Sequence, residues 1–197
     1  MGGKGGMVIG GTIAAFLPIV FVMILLVALG NAQQQAAAAC ASGAGGAAAP
    51  GAAPVSANQT AYVQTIIGVA KTLGIPQQGW VVALATALDE SGIRNLANPA
   101  VPASLGLAND GLGADHDSVG IFQQRPASGW GTPAQIMNPA YSAEAFFGAQ
   151  PAGGTTNRGL LEVPGWLGLP VTVAAQDVQG SATPTAYAKF QTEATQL

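Results

Sequence analysis

The sequence predicts a mainly α-helical domain behind an N-terminal transmembrane helix and a flexible linker. Three observations support this prediction. Residues 7–29 form one uncharged apolar run, residues 30–57 are dominated by alanine, glycine and proline, and from residue 58 onward large apolar side chains recur every three or four positions. The last spacing is that of amphipathic helices, because an α-helix turns once in about 3.6 residues.

The apolar run is long enough to cross a membrane as a helix. It covers 23 residues, and about 20 suffice for a hydrocarbon core of roughly 30 Å. Lys4 is the flanking cation, which places residues 1–6 in the cytoplasm and the C-terminal domain on the other side of the membrane. A cleaved signal peptide has an apolar core of only about 7–15 residues, so we expect an uncleaved, single-pass signal anchor. Cleavage next to Asn31 is the alternative.

The linker at 30–57 contains almost no large apolar side chains, so it is expected to remain a flexible tether. It includes Cys40, the only cysteine of the chain, which rules out an internal disulfide. Two interpretations of Cys40 stay open: lipid attachment, or a small linker residue without a role. The formal net charge of −3 gives no reason to expect nucleic-acid binding.

Two helices open the domain predicted at 58–197. The first ends at Gly74 and Pro76, which are typical of helix termini, and its apolar stripe is Tyr62, Ile66, Val69 and Leu73. The second is predicted at 77–90, with a stripe formed by Trp80, Val81, Leu84 and Leu88. Because the connection is short, the two helices are expected to pack as antiparallel neighbours.

Glu90 is the candidate catalytic residue. It lies at the end of the second predicted helix, where the negative end of the helix dipole and partial burial both favour the neutral carboxylic acid. A carboxyl that holds its proton near neutral pH can protonate a leaving oxygen in general acid catalysis.

Residues 91–118 are rich in Gly, Pro, Asn and Asp, which predicts a long irregular loop. It leads into residues 119–124, a short apolar segment that fits either a strand or a tight turn. For Asp110, Asp115 and Asp117 two interpretations stay open, calcium binding and hydrogen bonds within turns. With His116 as the only histidine, a zinc site lacks ligands, and neither a metal nor a cofactor is expected.

Capping residues predict where the later helices begin. Thr132-Pro133 and Asn138-Pro139 each pair a capping residue with a proline suited to the first turn. A further helix is predicted at about 171–179, and a last one from Thr183-Pro184 that carries Tyr187 and Phe190. The domain is therefore expected to contain five to seven helices.

Several motifs occur in an order that resembles a known family: ALDESGI, HDSVGIFQQRP, GWGTPAQIMNPAYSAEAFF and VAAQDVQGSATPTAYAKF. Together they resemble the lysozyme-like superfamily, in its lytic transglycosylase and goose-type lysozyme branch, and more closely the membrane-anchored forms of actinobacterial and actinophage proteins. The resemblance covers residues 58–195. It implies a lysozyme-like helical fold that cleaves peptidoglycan glycan strands outside the cell membrane, facing the cell wall.

The resemblance also implies roles for individual residues. Glu90 matches the catalytic acid and Ser91 the residue that steadies its carboxylate. Tyr141 matches a tyrosine that contacts the acid or the sugar. The substrate-lining turn, in which the glutamine reaches a sugar N-acetyl group, corresponds to Gly120, Ile121, Phe122 and Gln123.

Two reaction types stay open within this glycosidase interpretation. A lytic transglycosylase uses one glutamic acid to split the bond between N-acetylmuramic acid and N-acetylglucosamine and forms a 1,6-anhydro product, whereas a muramidase uses water. Asp89 points away from Glu90 on the helix, so Asp115 or Asp117 would have to be the second carboxylate that favours water. The partners expected are glycan strands and, as an extension, a secretion, conjugation or phage system. The alternative is a catalytically silent wall-binding or scaffold module.

Overall fold

The computed structural model describes residues 2–3, 55–149, 157–181, 183 and 185–197. The predicted transmembrane helix at 7–29 and the linker up to residue 54 lie outside these residues. Within the described ranges, every helix is too short or too polar to cross a bilayer.

The mainly helical prediction is confirmed for the described part of the chain, which contains seven α-helices and no β-strand. We number them α1 Ala57–Thr72, α2 Gln77–Ser91, α3 Pro102–Leu105, α4 Pro133–Ile136, α5 Pro139–Phe147, α6 Val171–Gln179 and α7 Gln191–Gln196. Four 3-10 helices lie between them, at Pro126–Ser128, Leu160–Glu162, Trp166–Gly168 and Ala186–Phe190.

The start of α1 is determined by a capping box. The Ser56 hydroxyl accepts a hydrogen bond from the Gln59 amide at 3.2 Å, and the Gln59 side chain accepts one from the Ser56 amide at 2.8 Å. These reciprocal bonds satisfy two amides that a helix start leaves without partners. The helix therefore begins at Ala57, one residue before the predicted domain boundary. Gly74, at φ 68°, follows its end as predicted.

Helix α2 is the centre of the domain. The sequence predicts one apolar stripe, but the buried residues of α2 lie around most of its circumference: Gly79, Val81, Val82, Ala83, Leu84, Ala85, Thr86, Ala87 and Ser91. Trp80 and Leu88 of the predicted stripe are only partly buried. Small side chains allow close packing of α1, α5, α6, α7 and the Ala186–Phe190 segment against this helix. The helix ends at Ser91, one residue later than predicted, with Gly92 in the left-handed conformation.

The predicted loop at 91–118 is more ordered than its composition indicates. It contains α3. The side-chain amide of the buried Asn98 donates to the carbonyls of Asp115, His116 and Ser118 at 3.0–3.2 Å and so connects the first part of the loop to its last residues. The asparagine thus replaces the backbone pairing that a regular element would provide.

Residues 119–124 form a tight turn rather than a strand. The Val119 amide donates to the Gln124 carbonyl at 3.0 Å, and the Gly120 amide donates to the Leu96 carbonyl at 2.8 Å. Both contacts are isolated bridges. Of the two interpretations that the sequence left open, the turn is the one observed.

The later helices are mostly where the capping residues predict them. Helices α4 and α5 begin at Pro133 and Pro139, and α6 covers 171–179 as predicted. The last predicted helix is wrong in type, since Tyr187 and Phe190 lie in the 3-10 segment Ala186–Phe190 and α7 begins only at residue 191.

Gly120→Ala is expected to destabilise the domain by about 1–3 kcal/mol. Gly120 has φ 80°, and a Cβ there would lie 2.7 Å from the Ile136 carbonyl oxygen. Gly68→Ala is the matched control: a Cβ at Gly68 meets no atom within 4 Å, and alanine in a helix interior stabilises by about 0.5–1 kcal/mol. Urea unfolding of both variants measures the difference. Equal unfolding midpoints would contradict the close packing at Gly120.

Candidate active site

A cleft of about 1060 Å³ lies at the C-terminal end of α2. Side chains from five parts of the chain line it: the end of α2, the loop at 115–130, residues 157–158, the end of α6 with the residues that follow it, and Tyr187. The lining includes Glu90, Asp115, Gln123, Trp130, Arg158 and Gln179. A second groove of about 460 Å³ lies between α1 and α5, but Glu144 is its only carboxylate. The chemical groups therefore concentrate in the first cleft.

Glu90 lies at the partly buried edge of this cleft. The pKa of its carboxyl is raised from 4.5 to about 7, mainly by burial and in smaller part by the negative charges of Asp89 and Asp115, against a hydrogen bond from Tyr187 that lowers it. The neutral acid that the sequence analysis predicted is thus the form favoured up to neutral pH, and removal from water is its main cause.

Tyr187 is the residue that contacts Glu90. Its hydroxyl donates to Glu90 Oε1 at 2.8 Å, and its side chain is fully buried. Burial also raises the pKa of Tyr187, so the phenol keeps the proton that it donates. An ion pair from Lys189 Nζ to Asp89 Oδ1, at 3.0 Å, also connects the 3-10 helix Ala186–Phe190 to the end of α2.

Tyr141 does not occupy the position expected of it. Its hydroxyl donates to the Trp130 carbonyl at 3.2 Å, its side chain is 8 % exposed, and it does not line the cleft. The contact with the acid is therefore made by Tyr187, and Tyr141 instead supports the cleft wall at Trp130. The sequence contains three Ala-Tyr pairs, at 61–62, 140–141 and 186–187, and the family resemblance matches the second of them to the site.

Ser91 does not steady the Glu90 carboxylate. Its hydroxyl is buried and lies 2.7 Å from the Ile121 carbonyl and 3.2 Å from the Ala87 carbonyl, and it accepts a hydrogen bond from the Arg94 amide. This residue instead attaches the 119–124 turn to the end of α2.

The turn itself contributes only one side chain to the cleft. Ile121 and Phe122 are fully buried, and Phe122 stacks on Phe146 with ring centroids 4.7 Å apart. Gly120 is buried as well. The apolar members of the predicted substrate-lining turn thus belong to the core.

Gln123 is the member of the turn that lines the cleft. Its backbone is left-handed, at φ 48°, an unusual conformation for a residue other than glycine. Its side-chain amide donates to the Gly120 carbonyl at 2.9 Å, which holds the side chain in place. The expected hydrogen bond from Gln123 to a sugar N-acetyl group remains a prediction.

The three loop aspartates have separate partners. Asp110 accepts from the Asn58 side chain and the Asn95 amide, Asp115 pairs with His116 at 2.7 Å, and Asp117 pairs with Arg125 and accepts from the Ala127 amide. Hydrogen bonds to Asp117 outweigh its burial and lower its pKa. Within the described residues, no three His, Cys, Asp or Glu side chains come together as metal ligands.

Of the two candidate second carboxylates, Asp115 lines the cleft with Glu90 and Asp117 does not. Asp117 pairs with Arg125, whose side chain does line the cleft. Asp115 is 76 % exposed, and His116 beside it has a positive φ of 43°. Of these two residues, Asp115 is therefore the one placed to act as a second carboxylate.

Neither a protein-family model nor a curated protein matches this chain. The resemblance to lysozyme-like proteins therefore rests on the motifs quoted above and remains a prediction.

Tyr187→Phe is expected to raise the pKa of Glu90, because the lost hydroxyl stabilises the ionised carboxylate. The measurement is an NMR titration of the Glu90 side-chain carboxyl carbon. Tyr141→Phe is the matched control, since it removes a hydroxyl that bonds to Trp130 instead, and its titration should coincide with that of the wild type. A lower or unchanged pKa in Tyr187→Phe would contradict the proposed effect of the hydrogen bond.

Glu90→Gln is expected to stabilise the fold above neutral pH. Because the pKa of Glu90 is raised from 4.5 to about 7 by folding, the folded state binds the proton more tightly, and the free energy of unfolding falls as pH rises between these values. Glutamine removes this loss, so the variant should gain on the order of 2–3 kcal/mol above pH 7. Below about pH 4.5 the two proteins should be equally stable, since the carboxyl is then neutral in both states.

Thermal unfolding across this pH range measures that difference. Glu193→Gln removes one carboxylate outside the cleft and controls for the change in net charge. A Glu90→Gln variant less stable than the wild type at pH 8.5 would argue against a buried carboxyl at residue 90.

Proposed function

We propose that the domain cleaves peptidoglycan strands between N-acetylmuramic acid and N-acetylglucosamine, with Glu90 as general acid and base. One observation supports this proposal above the others: Glu90 is a cleft-lining carboxyl whose pKa is raised to about 7. Such a group is present in both protonation states near neutral pH, so it can donate a proton in one step and accept one in the next.

In the first step the Glu90 carboxyl donates its proton to the glycosidic oxygen as the bond from muramoyl C1 to this oxygen breaks. N-acetylglucosamine leaves with a free 4-hydroxyl, and positive charge develops on the muramoyl ring. Ionised Glu90 is then stabilised by the hydroxyl of Tyr187, which already donates to Oε1 in the resting site.

In the second step the Glu90 carboxylate removes a proton from the nucleophile. When this is the muramoyl 6-hydroxyl, the O6–C1 bond closes a 1,6-anhydro ring; when it is water, the product has a reducing end. Formation of the 1,6-anhydro ring needs one carboxyl, and Glu90 supplies it. Attack by water would be favoured by a second carboxylate, but Asp115 is exposed and paired with His116. We therefore propose transglycosylation, with hydrolysis as the competing outcome.

The predicted signal anchor and linker place this activity next to the membrane and facing the wall. A tethered domain would open the wall only locally, which suits the passage of a secretion, conjugation or phage apparatus. The tether, the localisation and these partners are part of the proposal and rest on the sequence alone. A silent peptidoglycan-binding module is the competing function.

Glu90→Gln is expected to reduce cleavage of purified sacculi by the full chain by about 100-fold or more, the usual contribution of a general acid. Clearing of a sacculus suspension measures activity, and Glu193→Gln is the control that should remain active. Wild-type protein that sediments with sacculi without clearing them would instead indicate the binding module.

Wild-type activity is expected to decline as pH rises through about 7, because Glu90 must be protonated to donate. Mass spectrometry of the released fragments separates anhydro from reducing ends, which differ by one water. An activity that rises steadily from pH 6 to 9 would exclude Glu90 as the proton donor.

A further inference from the structure

The cleft carries opposite charges at different places along its lining. Asp89, Glu90 and Asp115 lie around the end of α2, whereas Arg125, Arg158 and Asp177 are contributed by later parts of the chain. Two of these charges have a partner of opposite sign: Asp89 pairs with Lys189, and Arg125 with Asp117. The Asp115 carboxylate is hydrogen-bonded to the His116 ring.

Arg158 differs from the other cleft cation in this respect. Among the ion pairs of the described residues none includes it. Its guanidinium donates one hydrogen bond, from Nη2 to the Asp177 carbonyl at 3.3 Å. Because a guanidinium carries five N–H donors, this bond leaves most of them for a ligand in the cleft.

The backbone on both sides of Arg158 is anchored. The Asn157 side chain donates to the Ser128 carbonyl at 2.8 Å, which attaches it to the opposite part of the lining. Gly159 packs so closely on the end of α5 that a Cβ would lie 2.1 Å from the Gly148 nitrogen, and its amide donates to Glu162. An arginine on a fixed backbone loses less conformational freedom when it binds.

The bond to Asp177 also directs the side chain. It attaches the guanidinium to the C-terminal part of α6, which lines the same cleft with Gln179, Gly180 and Ser181. The side chain is otherwise exposed, so its charge faces solvent at the cleft and not the core. A planar fork in this position matches the geometry of a carboxylate, which it can bind through two parallel hydrogen bonds.

Resting on the function proposed above, we infer that Arg158 binds a carboxylate carried by the muramoyl residue of the glycan strand and so selects strands with this substituent. N-acetylglucosamine is uncharged, whereas N-acetylmuramic acid carries a lactyl group that ends either in a free carboxylate or in a peptide with its own carboxylates. The ligand chemistry is the same for both sources. Uncharged N-acetylglucosamine oligomers lack it.

Binding can be measured separately from cleavage. Calorimetry with the full chain carrying Glu90→Gln uses three tetrasaccharides: the peptide-bearing strand fragment, the same fragment after enzymatic removal of its peptides, and chitotetraose. Adding Arg158→Gln should weaken binding of at least one of the two muramoyl ligands on the order of tenfold and leave chitotetraose unchanged. Arg158→Lys, which keeps the charge without the fork, should lie between the two.

The two muramoyl ligands identify the source of the carboxylate. A loss confined to the peptide-bearing fragment assigns it to the peptide, and a loss confined to the stripped fragment assigns it to the lactyl group. Lys71→Gln, a cation on α1 outside the cleft, makes the same change in net charge and should alter none of the affinities.

Equal affinities with and without Arg158 would overturn the inference, as would an equal loss for chitotetraose or no binding of any ligand. Clearing of sacculi by the wild type, tested independently, would still stand in these cases. Failure of that clearing would instead reject the proposed cleavage.

Discussion

The candidate site depends on one hydrogen bond, from the hydroxyl of the buried Tyr187 to the partly buried carboxyl of Glu90. Burial alone would make ionised Glu90 costly, and the neighbouring carboxylates add to that cost. The phenol reduces it by donating to the charged form, and its own raised pKa ensures that it keeps donating. The balance leaves the pKa of Glu90 near 7, which makes this carboxyl suitable for transferring protons in both directions.

The residues around this pair are held by buried polar contacts rather than by regular secondary structure. Ser91 attaches the 119–124 turn to α2 through the Ile121 carbonyl, and Gln179 donates to the Phe122 carbonyl from the end of α6. The turn is thereby bonded from two helices, which leaves the Gln123 side chain at the cleft. Motif residues that resemble substrate contacts thus act mainly as the supports that position the cleft.

The charged side chains of this cleft differ in whether they have a partner, and this difference would give a charged ligand a preferred orientation. Asp89 and Arg125 already have partners of opposite sign. Among the described residues, Arg158 donates to the Asp177 backbone carbonyl and takes part in no ion pair, and at low pH Glu90 is neutral. A strand that brings a carboxylate near its cleavable bond would therefore be oriented by Arg158 with respect to the proton donor.

The sequence by itself determined the local features of this protein. Capping residues with proline located α4 and α5, the apolar spacing located α1 and α2, and the position of Glu90 at the end of α2 predicted a neutral acid. The helix positions follow from contacts between residues a few positions apart, which a pattern in the sequence records directly. The burial of α2 on most sides was not predictable in this way, because a face formed by alanines shows no clear spacing of large apolar residues.

Only the tertiary structure decided which tyrosine reaches Glu90 and what Ser91 and Phe122 contact. Tyr187 is 97 positions from Glu90, and its segment is a 3-10 helix whose direction depends on packing against α2. The same holds for Arg158, whose setting is formed by α5, α6 and the loop at 128. Side chains so far apart in sequence meet only when the whole core closes, so no local propensity specifies them.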